Sequence, residues 1–445
     1  MSLAGSVTLQ VGADETPMRV FFSNLGCKLN QAELEALARE FDAAGYSIAP
    51  SLHEADLHIV NTCTVTRSAA RDSRKLARRG RHANPRMRTV LTGCYVAQDP
   101  ERAAALAGVD LVVGNGEKNA LLAKVEAAFG PAHRDPAAVP VPYVPLDFGN
   151  ARALVKVEDG CNMRCAFCII PRTRGRQRSR ALEAVVREVD GLAGGGYQEV
   201  VVTGVQISAY RDGEAGLFEL LTALLERTPI PRLRLTSIAP WRFDPRLLDL
   251  VATGRLCRHF HFSLQSGCDA TLARMRRPYG IEGFRRLVAK VRRRVPGVAI
   301  TTDVIVGFPG ETDEEFEAGL RVIEELEFAR IHAFPYSPRP GTEAACLPHA
   351  VPEPVRKARM QRLLAVARGS RDAFRRTHLG REVEVLWEAR RDGRWHGTSD
   401  NYLPVAATCR RDLRRALTPA RVRAIHGGRL LAELSETPAL HGGPV

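Results

Sequence analysis

Three cysteines within eight residues, Cys161, Cys165 and Cys168 of CNMRCAFC, constrain this chain more than any other feature. The C-x3-C-x2-C run directly follows the apolar stretch ALVKVE, so a strand has to deliver all three thiols onto one short loop. Thiolates so placed can ligate three irons of a 4Fe-4S cluster, and with no fourth ligand nearby one iron stays open to a bound molecule. Structural zinc is the alternative. Zinc motifs, however, bring four ligands as two pairs, and no CxxC or HxxxH partner follows.

The surroundings of that loop read as a barrel. From residue 147 to 375 the strand candidates ALVKVE, EVVVTGV, RLRLTS, HFHFSLQ, AITTDVIVGF and RIHAFPYS alternate with helix-period segments such as SRALEAVVREVDGLAGGG. Six such units predict an open or partial (β/α) barrel with the cysteine loop after its first strand, at the C-terminal face where such folds place chemistry. Over residues 18–130, MRVFFS, QAELEALAREFDAAG, LHIVN, a long Arg-rich helix, RTVLTG and DLVVG alternate as in a small parallel α/β sheet. PAHRDPAAVPVPYVP is Pro-rich and aperiodic, a linker. Over 378–438, REVEVLWEARRDGRWHGTSDNYLPVA and GGRLLAEL show short alternating strands and turns, which predict a small β-barrel or OB-like module. The expected class is therefore α/β with three domains, and 445 residues exceed what one core usually serves.

Three further cysteines have a common position: Cys27 in NLGCKLNQ, Cys63 in VNTCTV and Cys94 in LTGCYV each lie just beyond a predicted strand. In a parallel sheet all three converge on one edge. Spacings of more than thirty residues exclude a local finger, and a second 4Fe-4S cluster with one open iron is the natural inference. The remaining cysteines, Cys257, Cys268, Cys346 and Cys409, are scattered and read as buried small hydrophobes. The N-terminal MSLAGSVTLQVGADETP has neither a basic n-region nor an apolar h-region, and no apolar run is long enough to span a bilayer. A cytoplasmic protein is expected, where ten cysteines do not form a disulfide framework.

The spacing of CNMRCAFC is the signature of the radical S-adenosylmethionine (SAM) enzymes, and the chain resembles that class. On this resemblance VVVTGVQIS is the strand end that faces the methionyl amino group of SAM, which implicates Thr203, Gly204 and Gln206. FHFSLQSGCD and TTDVIVGFPGETDEEF are similar to later pocket-lining strand ends, implicating Ser263, Gln265 and Asp303, with the 306–310 loop near adenine. Any one of these is ordinary turn chemistry; together and in order they form a set. GCKLNQ, NTCTV and GC, followed by CNMRCAFC and a small β module, closely resemble the methylthiotransferases over nearly the whole chain. That family combines an N-terminal methylthiotransferase domain, a radical SAM core and a TRAM domain. The resemblance implies that the cluster on Cys161, Cys165 and Cys168 generates a 5'-deoxyadenosyl radical from SAM. It implies also that an auxiliary cluster on Cys27, Cys63 and Cys94 carries the sulfur that is methylated and transferred. An aromatic C–H has no useful acidity, so no general base of ordinary pKa could replace the radical.

Family substrates are tRNA adenosines at position 37 and an aspartate of a ribosomal protein. GCKLNQ is similar to the branch acting on N6-threonylcarbamoyladenosine; the isopentenyladenosine branch usually reads GCQMN and the ribosomal-protein branch GCPKN. Lys plus Arg outnumber Asp plus Glu by 64 to 50, a net charge of +14, which favours a polyanion such as the tRNA anticodon loop. In RSAARDSRKLARRGRHANPRMR, Arg67, Arg71, Lys75 and Arg78 or Arg79 recur at helical spacing. In PRTRGRQRSR, Arg172, Arg174, Arg176, Arg178 and Arg180 alternate, and an extended segment would point them all at one phosphate backbone. A solvated surface is the plain alternative for both runs. Trp395 and Tyr402 could stack on loop bases or belong to the barrel core. The implied partners also include an electron donor, flavodoxin-type or similar, and a sulfur source. Methylthiotransfer to N6-isopentenyladenosine-37 of tRNA or to a ribosomal-protein aspartate, and a non-enzymatic, metal-containing RNA-binding protein, are the competing readings.

Overall fold

The structure, a computed structural model, describes residues 18–131 and 151–435. Apart from Pro131, the linker segment and the boundary at residue 147 lie outside the described residues.

The first unit is a five-stranded parallel sheet of β1 (Arg19–Asn24), β2 (Ser47–Ile48), β3 (Leu57–Thr62), β4 (Arg88–Gly93) and β5 (Leu111–Val113), in the order β2-β1-β3-β4-β5. Every residue of β3 is buried, as a central strand covered on both faces requires. The helix Lys28–Ala43 buries Leu34, Leu37 and Phe41 with Val20, Phe22 and Ile59 of the sheet. Its opposite face carries Ala32, which packs with Leu154 and Val201 of the next unit. This helix therefore joins two cores.

The second unit contains seven parallel strands in two sheets. β6 (Arg152–Lys156) pairs with β9 (Glu199–Thr203), and β9 with β10 (Arg232–Leu235). One residue later β11 (Ser237–Ile238) continues onto β12 (His259–Phe262), β13 (Ala299–Val306) and β14 (Arg330–Pro335). Among the described residues β14 does not pair back to β6, so the barrel is partial, as expected. Valines and leucines of the strands pack against flanking helices, among them Leu182–Gly194 and Leu217–Arg227, in one large core. Two short strands that the apolar pattern does not reveal, β7 (Glu158–Asp159) and β8 (Arg178–Ser179), pair antiparallel. They close the base of the excursion that carries Cys161, Cys165 and Cys168.

The tail is a closed five-stranded barrel of β15 (Glu382–Arg391), β16 (Arg394–Ser399), β17 (Pro404–Ala407), β18 (Leu417–His426) and β19 (Arg429–Leu434). It docks against the N-terminal ends of the central strands. Arg232 and Arg234 of β10 share the buried carboxylate of Glu199 at 2.6 and 2.7 Å. Both extend guanidinium donors to main-chain carbonyls of the tail, Arg232 to Thr398 at 3.1 Å and Arg234 to Asp400 at 2.9 Å. No helix of the described residues is long and apolar enough to cross a membrane.

Candidate active site

Parallel pairing of β1, β3 and β4 places their C-terminal ends side by side; a cysteine follows β3 and β4 at once and β1 after Leu25 and Gly26. Cys27 caps the helix Lys28–Ala43, Cys63 follows Thr62, and Cys94 begins the short helix Cys94–Gln98. Between them, Gly26 at φ +117° has no room for a side chain, since a Cβ there would lie 2.9 Å from Cys63 Cβ. Glycine is required twice over, by conformation and by contact. Cys63 and Cys94 are buried; Cys27 keeps solvent access but is enclosed enough that desolvation raises its thiol. Burial likewise pushes Cys63 up to about 11. The central unit grips this edge. Arg339 donates to Thr64 Oγ1 at 2.7 Å and to Gln98 Oε1 at 2.9 Å, and Asn115 spans from Cys94 Sγ at 3.7 Å to the carbonyl of Thr173 at 2.8 Å.

The second thiol set sits on the loop that follows β7. The Cys161 amide bonds the Gly175 carbonyl at 3.1 Å, and the Cys168 amide bonds the Cys165 carbonyl at 3.0 Å. Ala166 is pinned on both sides, its amide to Met275 and its carbonyl to the Ala344 amide, and it packs with Phe308 and Tyr336. Burial raises the Cys161 thiol and pushes Cys168 up to about 12. Neutral, desolvated thiols with few partners are what a cationic iron core would convert to ligated thiolates. Among the described residues no three Cys, His, Asp or Glu side chains converge tightly enough to share one metal ion. Each set offers three soft thiol donors, the ligand chemistry that an iron–sulfur cluster takes.

The other sequence candidates fall in two groups. Thr203 ends β9, and Gly204 and Gln206 follow it, with Gln206 Oε1 3.7 Å from Cys161 Sγ. Gly204 is a glycine because Glu158 passes so close that a Cβ would lie 2.7 Å from its Oε2. Ser263 and Gln265 lie beyond β12. Ser263 offers its carbonyl to Arg277 and to the Tyr279 hydroxyl, while Gln265, at φ +68°, bridges its backbone to β13. Asp303 accepts from His261 Nε2 at 3.1 Å within a cluster that includes His332. Gly307 of the 306–310 loop is held by Glu311, its amide 2.8 Å from Oε2.

The arginine row does not survive as a row. Ile170–Arg174 is a helical turn, so the alternating residues do not share a side. Arg174 is buried in ion pairs with Glu33 and Asp159, and Arg180 pairs with Glu188. Arg172, Arg176 and Arg178 are exposed, and Arg172 bonds the Gly341 carbonyl. On the helix Arg67–Ala83, by contrast, Arg71, Lys75, Arg78 and Arg79 are all exposed. Trp395 is tail core, its Nε1 bonded to the Arg411 carbonyl, and Tyr402 packs against His259 with Lys28, Arg152 and Arg234 around its ring. Neither is placed to stack on a base. Of the scattered cysteines, Cys257 is buried as expected, Cys268 and Cys409 are half-buried, and Cys346 is exposed.

Two residues escape sequence reasoning. Glu158 is buried with Oε2 bonded to the Gln206 amide at 2.8 Å and Oε1 unpartnered, and burial pushes it up to about 7. Its signal is indirect: it is the one carboxylate of the apolar run ALVKVE, three residues before Cys161. Arg277 reaches Cys165 Sγ at 3.3 Å.

Comparison with known proteins agrees with this geometry. Residues 155–323 match the model of the Radical SAM superfamily, and residues 19–114 match that of Uncharacterized protein family UPF0004. The threonylcarbamoyladenosine tRNA methylthiotransferase MtaB of Bacillus subtilis is 34% identical over 87% of this chain and 89% of its own. Those of Aquifex aeolicus and Chlamydia pneumoniae are 37% and 38% identical, over 83% and 82% of this chain and 92% and 85% of theirs. Among solved structures, the radical SAM methyltransferase TsrM of Kitasatospora setae superposes with a TM-score of 0.55 over 74% of this chain and 75% of that one, at 21% identity, a likeness of fold. With a radical SAM barrel and relatives of this similarity along most of its length, the chain belongs to the radical SAM methylthiotransferase family.

Proposed function

We propose that the protein adds a 2-methylthio group to N6-threonylcarbamoyladenosine at position 37 of tRNA. The observation that carries the reading is the second cysteine set. A radical SAM barrel alone supports many reactions, whereas three more thiols at adjacent strand ends, clamped onto the barrel by Arg339 and Asn115, supply a holder for the incoming sulfur. The substrate follows from the names of the relatives and from GCKLNQ. The same reading divides the chain into domains at 18–130, 147–375 and 378–438.

A 4Fe-4S cluster on Cys161, Cys165 and Cys168 together with SAM would supply a hydrogen-abstracting radical, and a second on Cys27, Cys63 and Cys94 the activated sulfur. Around them the chain's own groups do the positioning. Arg277 holds Cys165, while Thr203, Gly204, Gln206, Ser263, Gln265 and Asp303 line the proposed SAM site. The exposed basic face of Arg67–Ala83 and the exposed Arg172, Arg176 and Arg178 serve the phosphate backbone of the anticodon stem and loop. An external reductant of flavodoxin type and a sulfur donor complete the scheme.

Nucleoside analysis of tRNA from cells lacking the gene tests it. The 2-methylthio derivative disappears and its unthiolated precursor accumulates; an unchanged profile rejects the proposal. Loss of a ribosomal-protein modification, read by intact mass, would transfer the activity to that substrate.

A further inference from the structure

Between the two cysteine sets lies a buried ion network centred on Arg174. Arg174 follows the catalytic cysteine loop and its side chain is 1% exposed. It donates through Nη1 to Glu33 Oε1 at 2.8 Å and Asp159 Oδ1 at 2.9 Å, and through Nη2 to Asn30 Oδ1 at 2.5 Å. Glu33, on the helix that Cys27 caps, also receives Lys118 at 2.6 Å and Lys156 at 3.2 Å. The network touches both cysteine sets. Asn30 Oδ1 lies 3.8 Å from Cys27 Sγ, and Asp159 Oδ1 accepts the amide of Gly160, the residue before Cys161, at 2.8 Å.

Three cations, Arg174, Lys118 and Lys156, thus surround two carboxylates, Glu33 and Asp159. A third carboxyl, Glu158 beside Asp159, also lies within electrostatic reach of Arg174, and Lys156 keeps contact with solvent, so the acids and bases of the region balance while the thiols are neutral. Guanidinium does not escape burial by losing its proton, so Arg174 is a fixed positive charge here. The other polar neighbours, Asn30 and Asn61, are neutral amides. On its other side Arg174 faces the thiol set: the Asn30 Oδ1 that it bonds lies 3.8 Å from Cys27 Sγ, and Cys94 and Cys63 are within electrostatic reach. As free thiols these are neutral; as ligands they are thiolates.

We propose that Arg174 is the charge partner of the Cys27, Cys63 and Cys94 site, compensating its anionic, iron-ligated form and setting its reduction potential. The inference rests on reading those cysteines as a cluster site. One-electron reduction, with the electron coming from the external reductant, adds a negative charge to that site and breaks no bond. A fixed cation beside it stabilises the reduced state and raises the potential. Because Arg174 belongs to the central unit, docking of the two units brings the charge to the site. Arg174 is thus a positioning residue, acting on the cysteines across the interface.

The experiment uses full-length protein carrying C161A, C165A and C168A, reconstituted anaerobically so that only the N-terminal site can hold iron. Its potential is read by redox titration followed by electron paramagnetic resonance, and its iron retention by challenge with a chelator. R174Q is expected to shift the potential to more negative values and to lose iron severalfold faster, while R174K retains a potential near that of the parent. D159N removes a carboxylate and leaves the cation, so the shift is towards more positive values. Opposite shifts in R174Q and D159N are the electrostatic signature, because a merely loosened interface would move both the same way. No shift, or shifts of the same sign at normal iron content, overturns the role of Arg174. Absence of iron from the parent overturns the cluster reading and the inference with it. If R174Q does not fold, D159N decides alone, and an unmoved or more negative potential refutes the proposal.

Discussion

Arg277 Nη1 lies 3.3 Å from Cys165 Sγ, and its Nη2 bonds the Ser263 carbonyl at 3.2 Å. The guanidinium is held between two rings, 4.6 Å from the centroid of Trp241 and 5.3 Å from that of Tyr279, which themselves stack at 5.5 Å. A permanently charged donor is thereby fixed against one catalytic thiol and one strand end of the proposed SAM pocket. R277M is expected to slow dithionite-driven formation of 5'-deoxyadenosine by roughly 10–100-fold, the usual cost of removing a partner that orients a metal ligand. R277K keeps the charge but not the fork, so an intermediate rate follows. A wild-type rate in R277M would exclude the role.

The two cysteine sets should separate in their effects. Anaerobically purified protein is expected to be brown with about eight irons per chain, and each triple alanine variant to retain about four. C161A/C165A/C168A abolishes SAM cleavage. C27A/C63A/C94A spares cleavage and blocks methylthio transfer. Equal loss of cleavage in both variants would contradict the division of labour.

This architecture is legible where a local period coincides with chemistry. Cys27, Cys63 and Cys94 declare themselves because each ends an apolar strand run, and parallel pairing turns equal positions along strands into neighbours in space. What is illegible depends on distant contributions: Arg277 and Arg339 reach the site from segments with no motif of their own, and Glu158, though only three residues before Cys161, reads as the end of an apolar strand. Arg174 misleads for a different reason. Alternating arginines suggest a strand, but Ile170 starts a helical turn with Pro171 next in it, where a fixed φ and a missing N–H are tolerated. That turn swings Arg174 inward, away from Arg172 and Arg176. The clue is present in the sequence, yet period-two charge outweighs it.

Glu199 holds the tail barrel to the central unit through Arg234 and Arg232. Burial favours its neutral form, but the two guanidiniums outweigh burial and hold the carboxyl down at about 2. Since the folded value lies below the ordinary 4.5, the stability contributed is present above about pH 4.5 and is lost as pH falls towards 2. E199Q, which leaves buried Arg234 without its carboxylate and Arg232 with only Glu384 at 3.7 Å, is expected to cost roughly 3–5 kcal/mol at neutral pH. Denaturant midpoints of E199Q and wild type should approach each other as pH falls from about 5 to about 3. A gap that stays constant with pH would show that the ion pair contributes nothing through its charge.

The basic face of Arg67–Ala83 makes the clearest claim about tRNA. Arg71, Lys75 and Arg78 recur at helical spacing, all three are exposed, and the helix begins at a Thr66 cap shortly after Cys63, so its start is fixed beside the proposed sulfur site. Phosphate contacts of this kind supply affinity by releasing counterions, and each adds roughly 0.7–0.9 to the slope of log affinity against log salt. Reversing Arg71, Lys75 and Arg78 to Glu should weaken tRNA binding most at low salt and flatten that slope by roughly one unit for each phosphate no longer neutralised. SAM cleavage in the absence of tRNA provides the control and should not change. A variant that binds tRNA with the parental slope would assign these side chains to plain solvation, and the phosphate backbone would have to be met by Arg172, Arg176 and Arg178 instead.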